Sequence, residues 1–168
     1  MRRRIWQKGL VKASQWAVQA AREGFQIPIP QGLLNKLVER VDDPSVRGLA
    51  LAIRDGDRLE LSGLKKKGVW VQFSAAFLLE APGDGDPPQS LVLILEEAEP
   101  FFAKGALLTA LGDLDGVSAA GDRVLVDVND LIDRNEWGRK VPQALRSRLR
   151  ITDIGTQEGR INLRVGLT

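Results

Sequence analysis

Residues 49–80 read LALAIRDGDRLELSGLKKKGVWVQFSAAFLLE, and this stretch decides the fold class. Apolar side chains occupy every second position in three successive segments, which is the period of a half-buried β-strand. Asp55-Gly56 supplies a hairpin turn between the first two segments. The segment 63–68, which has a glycine at each end and Lys65, Lys66 and Lys67 inside, predicts the next turn. We therefore expect an antiparallel meander here.

The flanking sequence predicts helices on both sides of the meander and more strands after it. Residues 25–30 are extended because two prolines forbid a helix there. Residues 129–147 are ambiguous and predict only short helical turns. The predicted helices are 3–23, 31–41 and 101–114, and the further strands are 91–95, 117–120, 124–128 and a closing hairpin over 149–167.

Runs of strands joined by hairpins indicate an α+β fold built on an antiparallel sheet. The helices predicted over 31–41 and 101–114 are the natural elements to cover its apolar face. Because a long antiparallel sheet twists, it tends to curl around what it covers. We divide the chain into an N-terminal helix, residues 1–24, and one α+β domain, residues 25–168.

The composition excludes many kinds of active site. The 168 residues contain no His, no Cys and no Tyr. Thiol nucleophiles, Cys-bound zinc and Ser-His-Asp machinery are therefore excluded. The acidic run Glu96, Glu97 and Glu99 predicts a charged strand end that faces solvent. The alternative is a metal site or an acid–base pair formed with Asp113 and Asp115. We expect no enzymatic activity, no cofactor and no bound metal.

The N-terminal helix is the strongest functional lead, because it combines arginine and lysine with two tryptophans. Helices of this kind lie in the interface of anionic membranes. The chain is asymmetric in charge, with net charges of +7 over 1–79, −10 over 80–136 and +5 over 137–168. The predicted membrane-contact residues are Arg2, Arg3, Arg4, Trp6, Lys8, Lys12 and Trp16.

The chain resembles the tubular lipid-binding superfamily, and among its members the bacterial phospholipid- and mannan-associated lipid-binding proteins. The segments that carry the resemblance are the meander 46–79, LVLILEEAEPFFAKGALLTAL and VPQALRSRLRITDIGTQEGRINLRVGL. It implies a highly curved antiparallel β-sheet wrapped around a long helix. It also implies an apolar groove between sheet and helix that holds acyl chains.

The apolar sheet face is either a filled core or the lining of such a groove. The predicted lipid-binding residues are Leu49, Leu51, Ile53, Leu59, Leu61, Val71, Phe73, Phe77, Leu93, Phe101 and Phe102.

The function expected from the sequence is a non-enzymatic lipid-binding or membrane-associated domain. The alternative is a protein–protein adaptor that docks through the N-terminal helix, and a homo-oligomer stays open. Nucleic acid is not expected as a partner. The opening segment lacks an uninterrupted apolar stretch, so we expect a cytoplasmic protein that binds peripherally to the inner membrane face.

Overall fold

The computed structural model describes residues 24–134 and 142–167. The helix predicted over 3–23 lies outside these residues. Four helices and nine strands are described. The helices are α1 (Gln31–Val38), α2 (Ala103–Gly112), α3 (Val128–Asp133) and α4 (Gln143–Arg146). The strands are β1 (Phe25–Pro30), β2 (Val46–Arg54), β3 (Arg58–Lys67), β4 (Val69–Glu80), β5 (Ser90–Glu99), β6 (Val117–Ala120), β7 (Arg123–Asp127), β8 (Leu149–Gln157) and β9 (Arg160–Leu167).

The strands form two antiparallel sheets, which confirms the predicted α+β class. The larger sheet has six strands in the order β2-β3-β4-β5-β7-β6, and the smaller one has the order β1-β9-β8. The predicted extended segment 25–30 is the edge strand β1 of the smaller sheet. The meander 49–80 forms as predicted, apart from one turn. Lys65, Lys66 and Lys67 continue strand β3 and pair with β4, so Gly68 alone separates the two strands.

Both sheets contribute to one hydrophobic core. Alternate residues of β3 and β4, including Leu59, Leu61 and Phe77, point inward and are buried. Helix α1 adds Leu34, Leu37 and Val38, whose spacing of three and four puts them on one helix face. Sheet β1-β9-β8 adds residues such as Ile161 and Leu163.

A β-bulge changes which residues at the end of β5 face the core. Leu95 pairs with Phe77 and Glu97 pairs with Ala76, so Glu96 is an extra residue in the ladder. Such a bulge shifts the inward and outward alternation of the strand by one position. Leu95 therefore faces the core, while Glu97 and Glu99 face outward. This confirms that the acidic run is a charged strand end.

The expected sheet wrapped around a long helix is not found among the described residues, and the two sheets are not strongly curled. The longest described helix, α2, has ten residues. It is about 15 Å long, because an α-helix rises 1.5 Å per residue. Strand β4 has twelve residues and is about 40 Å long. Such a helix covers less than half of the strand, so α1, α2 and the smaller sheet share the covering of the core face.

Candidate functional site

The described residues expose three large apolar side chains, and these gather near one end of the six-stranded sheet. Their exposed fractions are 69% for Val69, 84% for Phe101 and 36% for Phe102. Val69 pairs with Lys67 across the β3–β4 hairpin. The Lys67 Nζ atom lies 4.4 Å from the centre of the Phe102 ring, which joins the start of α2 to the end of β3.

Basic residues lie next to this apolar group, on both faces of the sheet. Lys66 and Lys67 are exposed, and neither forms an ion pair with a described residue. On the other face of the sheet, the Arg47 guanidinium lies 3.9 Å from the centre of the Trp70 ring. We call the group Arg47, Lys66, Lys67, Val69, Trp70, Phe101 and Phe102 the tip.

Lys65 is drawn away from the tip. Its Nζ donates a hydrogen bond to the Ser45 hydroxyl. The Ser45 hydroxyl and backbone N–H both donate to Asp43 Oδ1, at 2.7 and 2.8 Å. These hydrogen bonds, with the charge of Lys65 as a smaller cause, hold the pKa of Asp43 below its ordinary value. Lys65 thus anchors the hairpin, while Arg47, Lys66 and Lys67 form no ion pair within the described part of the chain.

The predicted lipid-binding residues divide into three groups by their burial. Seven are buried in the core, namely Leu51, Ile53, Leu59, Leu61, Phe73, Phe77 and Leu93. Leu49 and Val71 are half-buried, and Phe101 and Phe102 belong to the tip. The apolar cavity between the core face of the sheet and helices α1 and α2 has a volume of about 40 Å³. That is space for about one water molecule.

The predicted membrane-contact residues Arg2, Arg3, Arg4, Trp6, Lys8, Lys12 and Trp16 lie outside the described residues. Sequence patterns did not single out Arg47, Val69 or Trp70. The available signal was the run of three lysines followed at once by Gly68 and a strand that starts with two large apolar residues.

In the described part of the chain, no group of three or more acidic side chains is placed to hold a metal ion. No described helix is long and apolar enough to cross a bilayer.

Comparison with known proteins finds no protein-family model, no curated protein and no solved structure that matches this chain. The resemblance to the tubular lipid-binding superfamily thus stays a prediction from the sequence.

Proposed function

We propose that this protein is a non-enzymatic, membrane-associated domain that touches anionic lipid surfaces with the tip. The observation that carries the proposal is the contact of Lys67 with Phe102, next to the exposed side chains of Val69 and Phe101. Neither Lys67 nor the neighbouring Lys66 forms an ion pair with a described residue. At the surface of an anionic membrane, basic side chains can contact the headgroups while neighbouring apolar side chains enter the acyl boundary.

The expected energies are large enough for reversible binding. A basic residue near an anionic leaflet contributes about 1 kcal/mol. Burying a phenylalanine side chain contributes about 1.5–3 kcal/mol. Two lysines, Arg47 and two phenylalanines together can hold the domain at a membrane without a spanning helix. The predicted N-terminal contact, with its three arginines and two tryptophans, would add a second attachment of the same chemistry.

Holding an acyl chain between sheet and helix stays a prediction from the sequence. The core face of the sheet is filled in the described residues, so a ligand there requires the helices to move away from it. Native mass spectrometry of the gently extracted protein tests this part separately from membrane binding.

The proposal is tested by sedimentation with vesicles of phosphatidylcholine alone or mixed with phosphatidylserine. We expect the full chain to bind only the mixed vesicles. Lys66→Glu/Lys67→Glu and Phe101→Ser/Phe102→Ser should each weaken binding by about tenfold or more, given these energies.

The matched control for charge is Lys36→Glu/Arg150→Glu, which reverses two exposed charges outside the tip. It should bind like the unaltered chain. If the control and the tip variants lose binding equally, overall charge and not the tip drives association, and the proposal fails. If the unaltered chain binds neither kind of vesicle, the proposal also fails.

A further inference from the structure

The two sheets have four edges, and three of them are closed. Strand β1 carries Pro28 and Pro30, which cannot donate a backbone hydrogen bond. On β2, the side chain of Asn35 accepts from the Leu51 N–H at 2.7 Å and donates to the Leu51 carbonyl at 3.1 Å. Gln31 accepts from the Ile53 N–H at 2.9 Å. Side chains of α1 thus occupy the positions of a neighbouring strand.

The edge of β8 is closed by main chain and side chain together. The Ile151 N–H donates to the Pro88 carbonyl at 2.9 Å. Further along, the Thr156 hydroxyl accepts from the Asp57 N–H at 2.7 Å and donates to the Arg54 carbonyl at 2.6 Å. These bonds tie the end of β8 to the β2–β3 turn.

Strand β6 is the open edge. It is the last strand of the six-stranded sheet, and no described strand pairs with its outer side. The Gly116 carbonyl accepts from the Asp127 N–H of β7, at 2.8 Å. Because neighbouring residues of a strand direct their hydrogen-bonding groups to opposite sides, Ala119 directs its N–H and C=O away from β7. Ala119 is exposed and β6 carries no charged side chain.

An open groove flanks β6 on each face of the sheet. The groove on the outer face has a volume of about 530 Å³ and runs beside Ser118, Leu125 and the loop Pro87–Gln89. The groove beside α2 has a volume of about 420 Å³. Each groove contains one acidic residue, Asp127 or Asp113, and no lysine or arginine lines either of them. Alternate side chains of an added strand would enter the two grooves in turn.

The two carboxylates in the grooves beside β6 are not neutralised by a described cation. Neither Asp113 nor Asp127 forms an ion pair with a described residue. Burial and the charges of Asp127 and Asp115 raise the pKa of Asp130, while the charge of Arg40 lowers it. Asp130 pairs with Arg134 at 3.0 Å. The charges of Asp127 and Asp115 therefore repel Asp130, and a cation placed beside Asp127 would be stabilised.

We propose that the open edge of β6 binds an extended basic peptide segment of a partner protein, which joins the sheet as an added strand. The backbone N–H and C=O of Ala119, which point away from β7, supply the hydrogen bonds of the ladder. Asp113 and Asp127 each receive a lysine or arginine side chain in its groove. The surface is separate from the tip, and it gives the chain a protein partner in addition to a membrane.

The test uses capped eight-residue peptides and the full chain, with binding followed by amide NMR. The probe repeats two lysines followed by two valines, so that lysine side chains enter both grooves. We expect it to shift the Val117 and Ala119 amides and to bind more weakly as salt is added. A peptide with glutamate in place of lysine should not bind. A peptide with proline in place of valine keeps the charge but lacks half of the N–H donors on each edge of the strand, and it should leave the Ala119 amide unshifted.

Asp113→Asn/Asp127→Asn removes both charges and leaves the side chain at position 127 able to accept the hydrogen bond from the Asn129 N–H. We expect this double variant to bind the lysine–valine peptide more weakly, by about fivefold or more for each charge removed. This is the effect of one contact pair of charges in water. The matched control Glu97→Gln/Glu99→Gln removes two charges from the outer face of β5 and should bind as the unaltered chain does. Equal weakening by the two variants, shifts that centre on β5, or no binding would overturn the proposal.

Discussion

The core face of strand β4 is covered at one end and bare at the other. Along this face, Phe77 and Leu79 are 2% and 3% exposed, while Val69 is 69% exposed. The alternation of apolar and polar residues is the same at both ends, and the pairing with β3 is regular throughout. The difference lies only in what the rest of the chain places over each end. An apolar sheet face therefore becomes core or interaction surface according to the elements that cover it.

Truncating a side chain at the covered end of β4 should cause the largest loss of stability. Phe77→Ala removes a buried ring beneath the helices and leaves a cavity, so the free energy of unfolding should fall by about 3–5 kcal/mol. Chemical denaturation followed by circular dichroism measures this change. A loss below about 1 kcal/mol, the scale of surface substitutions, would show that the core face is not packed as described.

Removing the Asn35 side chain that closes the β2 edge should give the second largest loss of stability. Asn35→Ala leaves the N–H and C=O of Leu51 without their partner, which should cost about 1–3 kcal/mol of unfolding free energy. It also opens a sheet edge, so sedimentation should reveal new self-association. Lys36→Ala, on the exposed side of the same helix, is the control and should change neither quantity. Unchanged stability in Asn35→Ala would show that the edge is not closed by this side chain.

On the outer face, loop 81–89 is tied to the sheet by Arg123. Its guanidinium donates to both carboxylate oxygens of Asp86, at 2.7 and 3.1 Å, and the Gly83 N–H donates to Asp86 as well. These bonds hold the pKa of Asp86 below its ordinary value. The ionised carboxylate is thus favoured in the folded state, and its stabilising effect is complete above the unfolded pKa of about 3.9.

This contribution should disappear as the pH falls below about 4, through the folded pKa of Asp86. Asp86→Asn should therefore lower the melting temperature modestly at neutral pH and flatten its decline on acidification. Thermal melts between neutral and acidic pH measure the effect. In Asp84→Asn, a change in the same loop, the melting temperature should fall with decreasing pH as steeply as in the unaltered chain. A slope equally steep in Asp86→Asn would contradict the role given to this pair.

The bare end should tolerate truncation best. Val69→Ala lies on the same face of β4 as Phe77, and its effect on the free energy of unfolding should stay within about 0.5 kcal/mol. The same denaturation experiment compares the two positions directly. A loss close to that of Phe77→Ala would show that Val69 is covered in solution.

The sequence predicted the fold class, the order of the strands and the inward face of the meander. Those features follow from local periodicity, which residues 49–80 carry in full. The bulge at Glu96, the division into two sheets and the closing of the β2 edge by Asn35 depend on contacts between distant segments. The turn predicted over 63–68 is wrong because the three consecutive lysines continue β3. Their pairing with Trp70 and Val71 extends the hairpin instead.

The site was predictable only in part. Phe101 and Phe102 are among the predicted lipid-binding residues. The sequence identifies them as apolar but does not show that they are exposed. That Phe102 meets Lys67 depends on where β5 ends and α2 begins. Leu61 and Val69 both lie at apolar positions of the alternating pattern. Only the packing of the rest of the chain decides that Leu61 belongs to the core and Val69 to the tip.

The absence of cysteine from the chain allows the tip to be labelled at a single site. Val69→Cys carrying an environment-sensitive dye tests the central claim most directly, with Ala119→Cys at the β6 edge as the control. On addition of vesicles that contain phosphatidylserine, the dye at position 69 should brighten and shift to the blue, and the dye at position 119 should not change. Vesicle binding with an unchanged signal at position 69, or with equal changes at both positions, would contradict the assignment of the tip as the membrane-contacting surface.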